Sequence, residues 1–290
     1  MEPGPQRVAL ATCGRLPRLA EDDRLLLDPL ERLGVRAEPV VWDAVGVDWG
    51  VYDAVVIRSC WDYYHRMEEF LDWVGSLESR GVALWNSPAV VRWNANKAYL
   101  REVESAGVPI VPTRWVDAAS VGTLAALLEE EGWDEAVVKP TVSAAAYETW
   151  RTSRSRAGED EARFRALVAR RPVMVQPFVR EVVDEGEWSL IFFGGCFSHA
   201  VLKRPRPGDF RVQVEHGGTE EAAEPDRSLV AAARAALEPV PGTWLYARVD
   251  GCVVDGRFRV MELELLEPSL FLGLAPSAAD RFARAIAAVL

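Results

Sequence analysis

Apolar and polar positions along the chain change period several times, and each change marks a candidate element. Arg7 to Thr12 is a short apolar run of the buried-strand kind, followed by Cys13-Gly14. Leu25, Leu26, Leu27, Leu30 and Leu33 then share a helical repeat over Asp22 to Leu33, with Asp22 or Asp23 placed to cap it and Gly34 to end it. Strand patterns follow at Ala37 to Trp42 and Ala54 to Ile57, a helix at Arg66 to Ser79, and a strand at Val82 to Trp85 that Asn86-Ser87-Pro88 breaks. This order predicts an open α/β sheet with a mainly parallel core. A second module begins near Val90. It reads as a helix from Asn94 to about Gly107, a helix over Thr123 to Glu131 and a strand over Ala136 to Pro140. A strand resuming at Glu148 to Arg151 and a helix over Asp160 to Ala169 come next. In Val173 to Val179, Pro177 predicts that the chain leaves a sheet there, because proline cannot donate to the ladder. Trp188 to Phe193 and Phe197 to Lys203 form a hairpin about Gly194-Gly195; helices at Ser228 to Leu237 and Asp280 to Leu290 follow.

Between those last helices lies the most informative alternation. Met261, Leu263 and Leu265 fall on one face of a strand, and Glu262 and Glu264 on the other. An upstream strand, Trp244 to Asp250, ends in another acid, and Asp255-Gly256 is a hairpin turn pair that lays Asp250 near both glutamates. A solvated edge strand has the same pattern. Carboxylates converging from two paired strands, however, make a hard-oxygen site suited to Mg²⁺, which binds through a few carboxylates plus substrate phosphates.

The 290 residues allow two or three modules, and 49% hydrophobic with 27% charged residues is an ordinary globular composition. A net charge of −11 argues against a nucleic-acid partner, although a local basic cluster can still hold an anionic ligand. Cys13, Cys60, Cys196 and Cys252 lie far apart without C-x-x-C spacing, as reduced thiols do. No charged-then-apolar leader and no membrane-length apolar run is present, so the expectation is a cytoplasmic protein with no membrane partner. A homo-oligomer remains open.

Local chemistry points to further candidates. Arg58 and Asp62 follow the third strand, at the sheet end where α/β folds bind ligands, though ordinary loop polarity has the same appearance. Lys97 in the first turn of a helix opposes the helix dipole, a conflict that an anion or simple solvation resolves. Lys139 ends a valine-rich strand and suits phosphate contact; Thr141 to Ala146 after it is small, as a closing loop would be. Lys203, Arg204, Arg206 and Arg211 concentrate in one segment of an acidic chain and read as an anion clamp. His199 on the same strand as Lys203 is either a substrate contact or a structural histidine. Glu267 is either a loop acid or a seat for a substrate amine.

With these pieces in order, the chain resembles the ATP-grasp ligases from about Trp93 to Ser269, preceded by the α/β module that usually stands before them. The resemblance implies an amino-terminal domain over 1–92, a central lid domain over 93–178 and a carboxy-terminal domain with the metal site over 179–290. It implies that Lys97 and Lys139 bind phosphates, that Gln176-Pro177-Phe178-Val179 is the hinge whose backbone reads adenine, and that Glu187 holds the ribose. Lys203 to Arg211, ending at Gly217-Gly218, is similar to the phosphate-proximal segment of bacterial glutathione synthetases. Asp250, Glu262 and Glu264 match the magnesium ligands. Two departures stand out: the loop after Lys139 is Ser-Ala-Ala-Ala where glycines are usual, and Glu264 replaces the usual Asn. The extra carboxylate favours tight Mg²⁺ and two ions, and Mn²⁺ suits the same donors. Arg58 to Tyr63 and Glu262 to Ser269 look closest to the branch containing the D-cycloserine-forming ligase of antibiotic biosynthesis, which adds Ser269 to the substrate candidates.

The resemblance implies that ATP phosphorylates a carboxyl or ureido-type carbonyl of an amino-acid-like substrate. An amine then displaces phosphate, giving an amide or a closed ring. Lys203 and Arg211 would face the transferring group, Arg211 also stabilising an oxyanion. A kinase on the same scaffold and a non-catalytic nucleotide-binding module are the alternatives; phosphate released rather than retained on an acceptor separates ligase from kinase.

Overall fold

A computed structural model gives the fold and describes residues 5–119, 122–143 and 146–290. Ala144 and Ala145, part of the small loop expected after Lys139, lie outside the described residues.

The first sheet is all parallel, in the order β2-β1-β3-β4, from β1 (Gln6–Thr12), β2 (Val35–Val41), β3 (Ala54–Ile57) and β4 (Leu84–Trp85). The central strands β1, from Val8, and β3 are buried apolar runs because both of their faces are covered. Ala9, Ala11, Val55 and Ile57 pack with Phe70, Trp73, Val74 and Leu77 of the helix Met67–Ser79. Val8, Leu10 and Val56 pack with Leu26, Leu30 and the closing helix Ala278–Ala287. The helix expected over 22–33 is instead two short pieces, Glu21–Arg24 and Leu27–Arg32. Asp22 and Asp23 do not cap them. Asp22 accepts from the backbone N–H of Leu272 and Gly273, and Asp23 from Arg58 and Ser59. Tertiary partners outcompete the local cap.

A second sheet, antiparallel in the order β5-β8-β6-β7, is built from β5 (Arg114–Val116), β6 (Glu135–Pro140), β7 (Trp150–Ser153) and β8 (Val173–Pro177). The helices Leu124–Glu130 and Ala157–Val168 cover it. The helix expected from Asn94 is a helix Pro88–Asn94, a 3₁₀ turn Lys97–Tyr99 capped by Asn96, and a helix Leu100–Ser105.

The third sheet is antiparallel, β11-β10-β9-β12-β13, from β9 (Glu187–Phe193), β10 (Cys196–Arg204), β11 (Thr219–Ala223), β12 (Tyr246–Val254) and β13 (Arg257–Glu264). Alternation splits its faces: Leu190 and Phe192 join the core containing Tyr99, Leu100, Val103 and Ile110, while Ile191 and Phe193 join the core shared with the first sheet. Residues 99–110 thus pack against this sheet, and the last helix returns to the first. Asp255 and Gly256 both have positive φ, as the hairpin turn requires. Asp250, expected at a strand end, lies inside β12, which continues to Val254. A bulge shifts the register from Asp250↔Glu262 to Gly251↔Val260. Met261 therefore leaves the face expected for it and packs with the cluster of Val111, Val182, Val212 and Cys252. Among the described residues no helix is long and apolar enough to cross a membrane.

The bulge needs a bare backbone at Gly251, where an added Cβ would sit 2.4 Å from the Arg259 carbonyl oxygen and 2.6 Å from the Phe258 ring. Gly251→Ala is expected to destabilise the protein by about 1–3 kcal/mol, read as a lower urea midpoint; an unchanged midpoint would contradict the packing described.

Candidate active site

A cavity of about 590 Å³ opens where the three sheets meet. Its floor is the β12–β13 pair, where Asp250 lies opposite Glu262 and Arg248 opposite Glu264. Arg248 is buried. It donates to both oxygens of Asp250, at 2.9 and 3.2 Å from Nε and 2.9 Å from Nη2, and from Nη2 to Glu264 at 2.5 Å. Lys203, on β10, sits between Glu187 at 2.5 Å and Asp250 at 3.2 Å, and Ser189 donates to Asp250 at 2.7 Å. Lys97 reaches Glu262 at 2.9 Å and the Ser143 carbonyl at 2.5 Å. Lys139 also faces the cavity, with no hydrogen bond or ion pair among the described residues. Burial lowers its pKa.

These contacts set the charges. Burial alone would raise Asp250, but Arg248 and Lys203 outweigh it and hold the carboxyl at about 2. Burial raises Glu264 to about 7, with Glu262 and Asp250 adding to the shift and Arg248 opposing it. Burial, then the neighbouring Glu264, raises Glu267 to about 8.

The donor chemistry suits a hard cation, in a form that differs from the expected convergence of three carboxylates. Among the described residues no three His, Cys, Asp or Glu side chains are gathered as a ready cage. Asp250 spends both oxygens on Arg248, Lys203 and Ser189. Glu262 and Glu264 keep 28% of their side-chain surface open, and two carboxylates plus phosphate oxygens satisfy Mg²⁺. The residues fit the ion as a two-carboxylate site, which Asp250 joins only by releasing a cation.

Of the other expected residues, Gln176, Pro177, Phe178, Val179, Glu187, Arg211, Glu267 and Ser269 also line the cavity. Arg211 is held at Nε and Nη2 by Asp209, at 3.1 and 2.8 Å, a pairing that keeps Asp209 far below the usual carboxylate range. The Phe178 ring lies under the Arg151 guanidinium at 3.7 Å. Four candidates lie elsewhere. Arg58 is fully buried on Asp23 and the Pro268 carbonyl. Asp62 binds the Trp42 indole and Arg66. His199 is buried between Ser198 and the Leu270 carbonyl. Arg204 points outward to Glu221. In each case a protein partner takes the group expected to meet substrate. The main omission is Arg248. It stands two residues before Asp250 on one strand, so the same period-2 argument that placed Glu262 beside Glu264 was available for it. Trp61, Tyr63 and Tyr64 bring an aromatic wall from the first module, and Arg15 and Phe271 complete the rim.

This arrangement has relatives. A family model described as D-cycloserine synthetase DcsG, N-terminal domain, matches residues 8–86. The cycloserine biosynthesis protein DcsG of Streptomyces lavendulae is 35% identical over 274 residues, covering 90% of this chain and 91% of that protein. The chain belongs to the DcsG family of ATP-grasp ligases. The crystal structure of D-cycloserine synthetase DcsG superposes with a TM-score of 0.87 at 32% identity, over 98% of this chain and 99% of that one. The D-alanine–D-alanine ligase of Bacillus anthracis, solved with ATP, shares the fold at a TM-score of 0.68 and 16% identity, over 97% and 95% of the two chains. The chain is an ATP-dependent ligase that forms carbon–nitrogen bonds.

The His199 imidazole sits in apolar surroundings that lower its pKa from the ordinary 6.5 to about 4, chiefly by burial. The unfolded chain therefore takes up the proton first, and this stabilisation, complete above pH ~6.5, is lost as pH falls toward ~4. Between pH 7.5 and 5 the wild type is expected to lose about 2 kcal/mol more stability than His199→Gln. Equal losses in urea titrations at the two pH values would show an ordinary, solvated histidine.

Proposed function

We propose that this ligase phosphorylates a carboxyl or ureido-type carbonyl of an amino-acid-like substrate with ATP. Displacement of phosphate by an amine of the same molecule then closes a ring, as the D-cycloserine synthetase name of its relative suggests. The observation that carries this reading is the meeting, in one cavity, of four cations with the Glu262–Glu264 pair: Lys97, Lys139, Lys203 and Arg248. Phosphoryl transfer asks the protein for in-line placement and charge neutralisation rather than a nucleophile.

The apolar slot of Val111, Val182, Val212 and Met261 beside Phe178 suits a flat base, with the Gln176–Val179 backbone along its edge. Lys97 and Lys139 would hold the inner phosphates; the unpaired Lys139 is the cation with most to gain. Glu187, placed for the ribose, would have to share itself with Lys203. When bound, Mg²⁺ neutralises phosphate oxygens, and Glu262 and Glu264 are the residues that would hold it, with Asp250 behind them. Arg248 ends beside Ser269 with its donors on Asp250, Glu264 and the Ser269 carbonyl, so it would bring positive charge rather than a free hydrogen bond to the reacting carbonyl. Arg211, held by Asp209, also lines the cavity. Glu267, whose pKa burial raises to about 8, would be drawn toward its ionised form by a substrate ammonium. The three sheets support the division at 1–92, 93–178 and 179–290, with residues 99–110 packed on the third unit.

Phosphate release from ATP and Mg²⁺, with product mass followed over amino-acid-like carboxylates and ureido compounds, tests the reading. D-cycloserine, or another cyclic amide, formed with one phosphate per turnover is expected; phosphate retained on the acceptor would make the enzyme a kinase. Glu262→Gln should abolish ADP release while the far-ultraviolet circular dichroism stays native, because the amide oxygen can still accept from Lys97. Arg248→Lys should lower kcat by roughly 10²-fold or more with the nucleotide KM little changed. Full turnover in either variant removes that residue from the site.

A further inference from the structure

The stretch after β13 breaks the usual rule that buried backbone lies in regular structure. Residues 265–270 belong to no helix or strand, yet Leu265, Leu266, Pro268 and Leu270 are buried. Buried carbonyls need donors, and here consecutive carbonyls find them in side chains. Asn86 donates to Leu265 at 2.6 Å, Tyr246 to Leu266 at 2.6 Å and Trp61 to Glu267 at 3.0 Å. Arg58 donates to Pro268 at 2.6 Å, Arg248 to Ser269 at 2.9 Å and His199 to Leu270 at 2.9 Å. Asp22 then accepts from Leu272 and Gly273 at 2.9 and 2.8 Å. Every second residue of this strap, Glu267, Ser269 and Phe271, faces the cavity.

The clamps come from the first sheet's loops and from two strands of the third, the units whose meeting forms the cavity. Arg58 and His199 hold the carbonyls on either side of Ser269. A carbonyl shares its peptide plane with the next residue, so Arg58 fixes the plane entering Ser269 and His199 the plane entering Phe271, while Arg248 holds the plane between Ser269 and Leu270. A displacement near 1 Å in such a group costs about 10² in rate. Neither residue lines the cavity. Arg58 has its orientation set in turn by Asp23, which also binds Ser59, and by the Tyr246 ring 5.0 Å away. His199 donates through Nε2 because a carbonyl can only accept, which makes Nδ1 the acceptor for the Ser198 hydroxyl.

We propose that Arg58 and His199 are positioning residues. They act on the small-molecule substrate through the strap 265–273, setting where Glu267, Ser269 and Phe271 meet it and leaving the nucleotide end untouched. This rests on the ligase reading above, and the test separates the two.

His199→Phe keeps a ring and loses the donor; His199→Gln keeps a donor; Arg58→Met removes the second clamp. Titrating D-cycloserine into full-length protein with ADP and Mg²⁺, and AMPPNP separately, should weaken D-cycloserine about tenfold in His199→Phe and Arg58→Met, with AMPPNP within about twofold. His199→Gln should stay near wild type for both. Parallel loss of AMPPNP, D-cycloserine binding unchanged in His199→Phe, or equal loss in the Phe and Gln variants overturns the proposal. Should Arg58→Met fail to fold, the His199 pair decides. A wild type that binds AMPPNP but not D-cycloserine sinks the product reading instead. The strap is then judged by amide exchange: faster exchange confined to 265–273 in His199→Phe supports it, and unchanged exchange there overturns it.

Discussion

Arg248 is buried and holds both oxygens of Asp250, one oxygen of Glu264 and the carbonyl of Ser269. A guanidinium withdrawn from water is tolerable only when its donors are met by acceptors and its charge by carboxylates. The converse also holds, since Asp250, Glu262 and Glu264 side by side would repel one another without nearby cations. Four acids of the cavity, Glu187, Asp250, Glu262 and Glu264, face four bases, Lys97, Lys139, Lys203 and Arg248. These bases let a strongly acidic protein keep a pocket for an anion. The ion pairs between these acids and bases also leave a shared weakness: removing the charge of Glu187, Lys203, Arg248 or Asp250 leaves a partner buried and less compensated, so effects at these positions should be strongly non-additive.

The rest of the structure brings that array together. Lys97 arrives on a 3₁₀ turn, Lys139 at the end of β6, Lys203 on β10, and the acids on β12 and β13. Asn86 joins two of these units directly, donating to the carbonyls of Tyr246 and Leu265 and accepting from the N–H of Leu245 and Tyr246. The closing helix seals the same seam with Phe282, stacked 4.6 Å from Phe193 and edge-on to Tyr246. Buried polar joints of this kind are costly to break once formed, which gives the cavity a defined shape.

The two ends of the cavity differ in character. Around Val111, Val182, Val212 and Met261 the walls are apolar, and the bulge after Asp250 turns Met261 into them. At the other end, aromatic side chains of the first module face a strap of backbone held by side chains. One end can be selected by shape and dispersion; the other depends on the placing of a few polar atoms, where small errors matter most.

Much of this could be read along the chain. Strand periods and turn residues located β1, β3, β6, β9, β10 and the β12–β13 hairpin, because those signals are local: side-chain alternation, apolar runs and paired positive-φ turn residues. The resemblance to the ATP-grasp ligases, rather than a local signal, is what put Lys97, Lys139, Lys203 and Glu262 at one site, and all four line the cavity. What lay beyond reach were choices between partners. Arg58, Asp62, His199 and Arg204 looked no different from ligand-binding groups until Asp23, Trp42, Leu270 and Glu221 were seen to occupy them. Nothing local in Asp22 says that its oxygens belong to the backbone of Leu272 and Gly273, 250 and 251 residues away. Sequence periodicity determines which face a side chain presents; which group meets it there is decided by packing between segments that only the folded chain brings together.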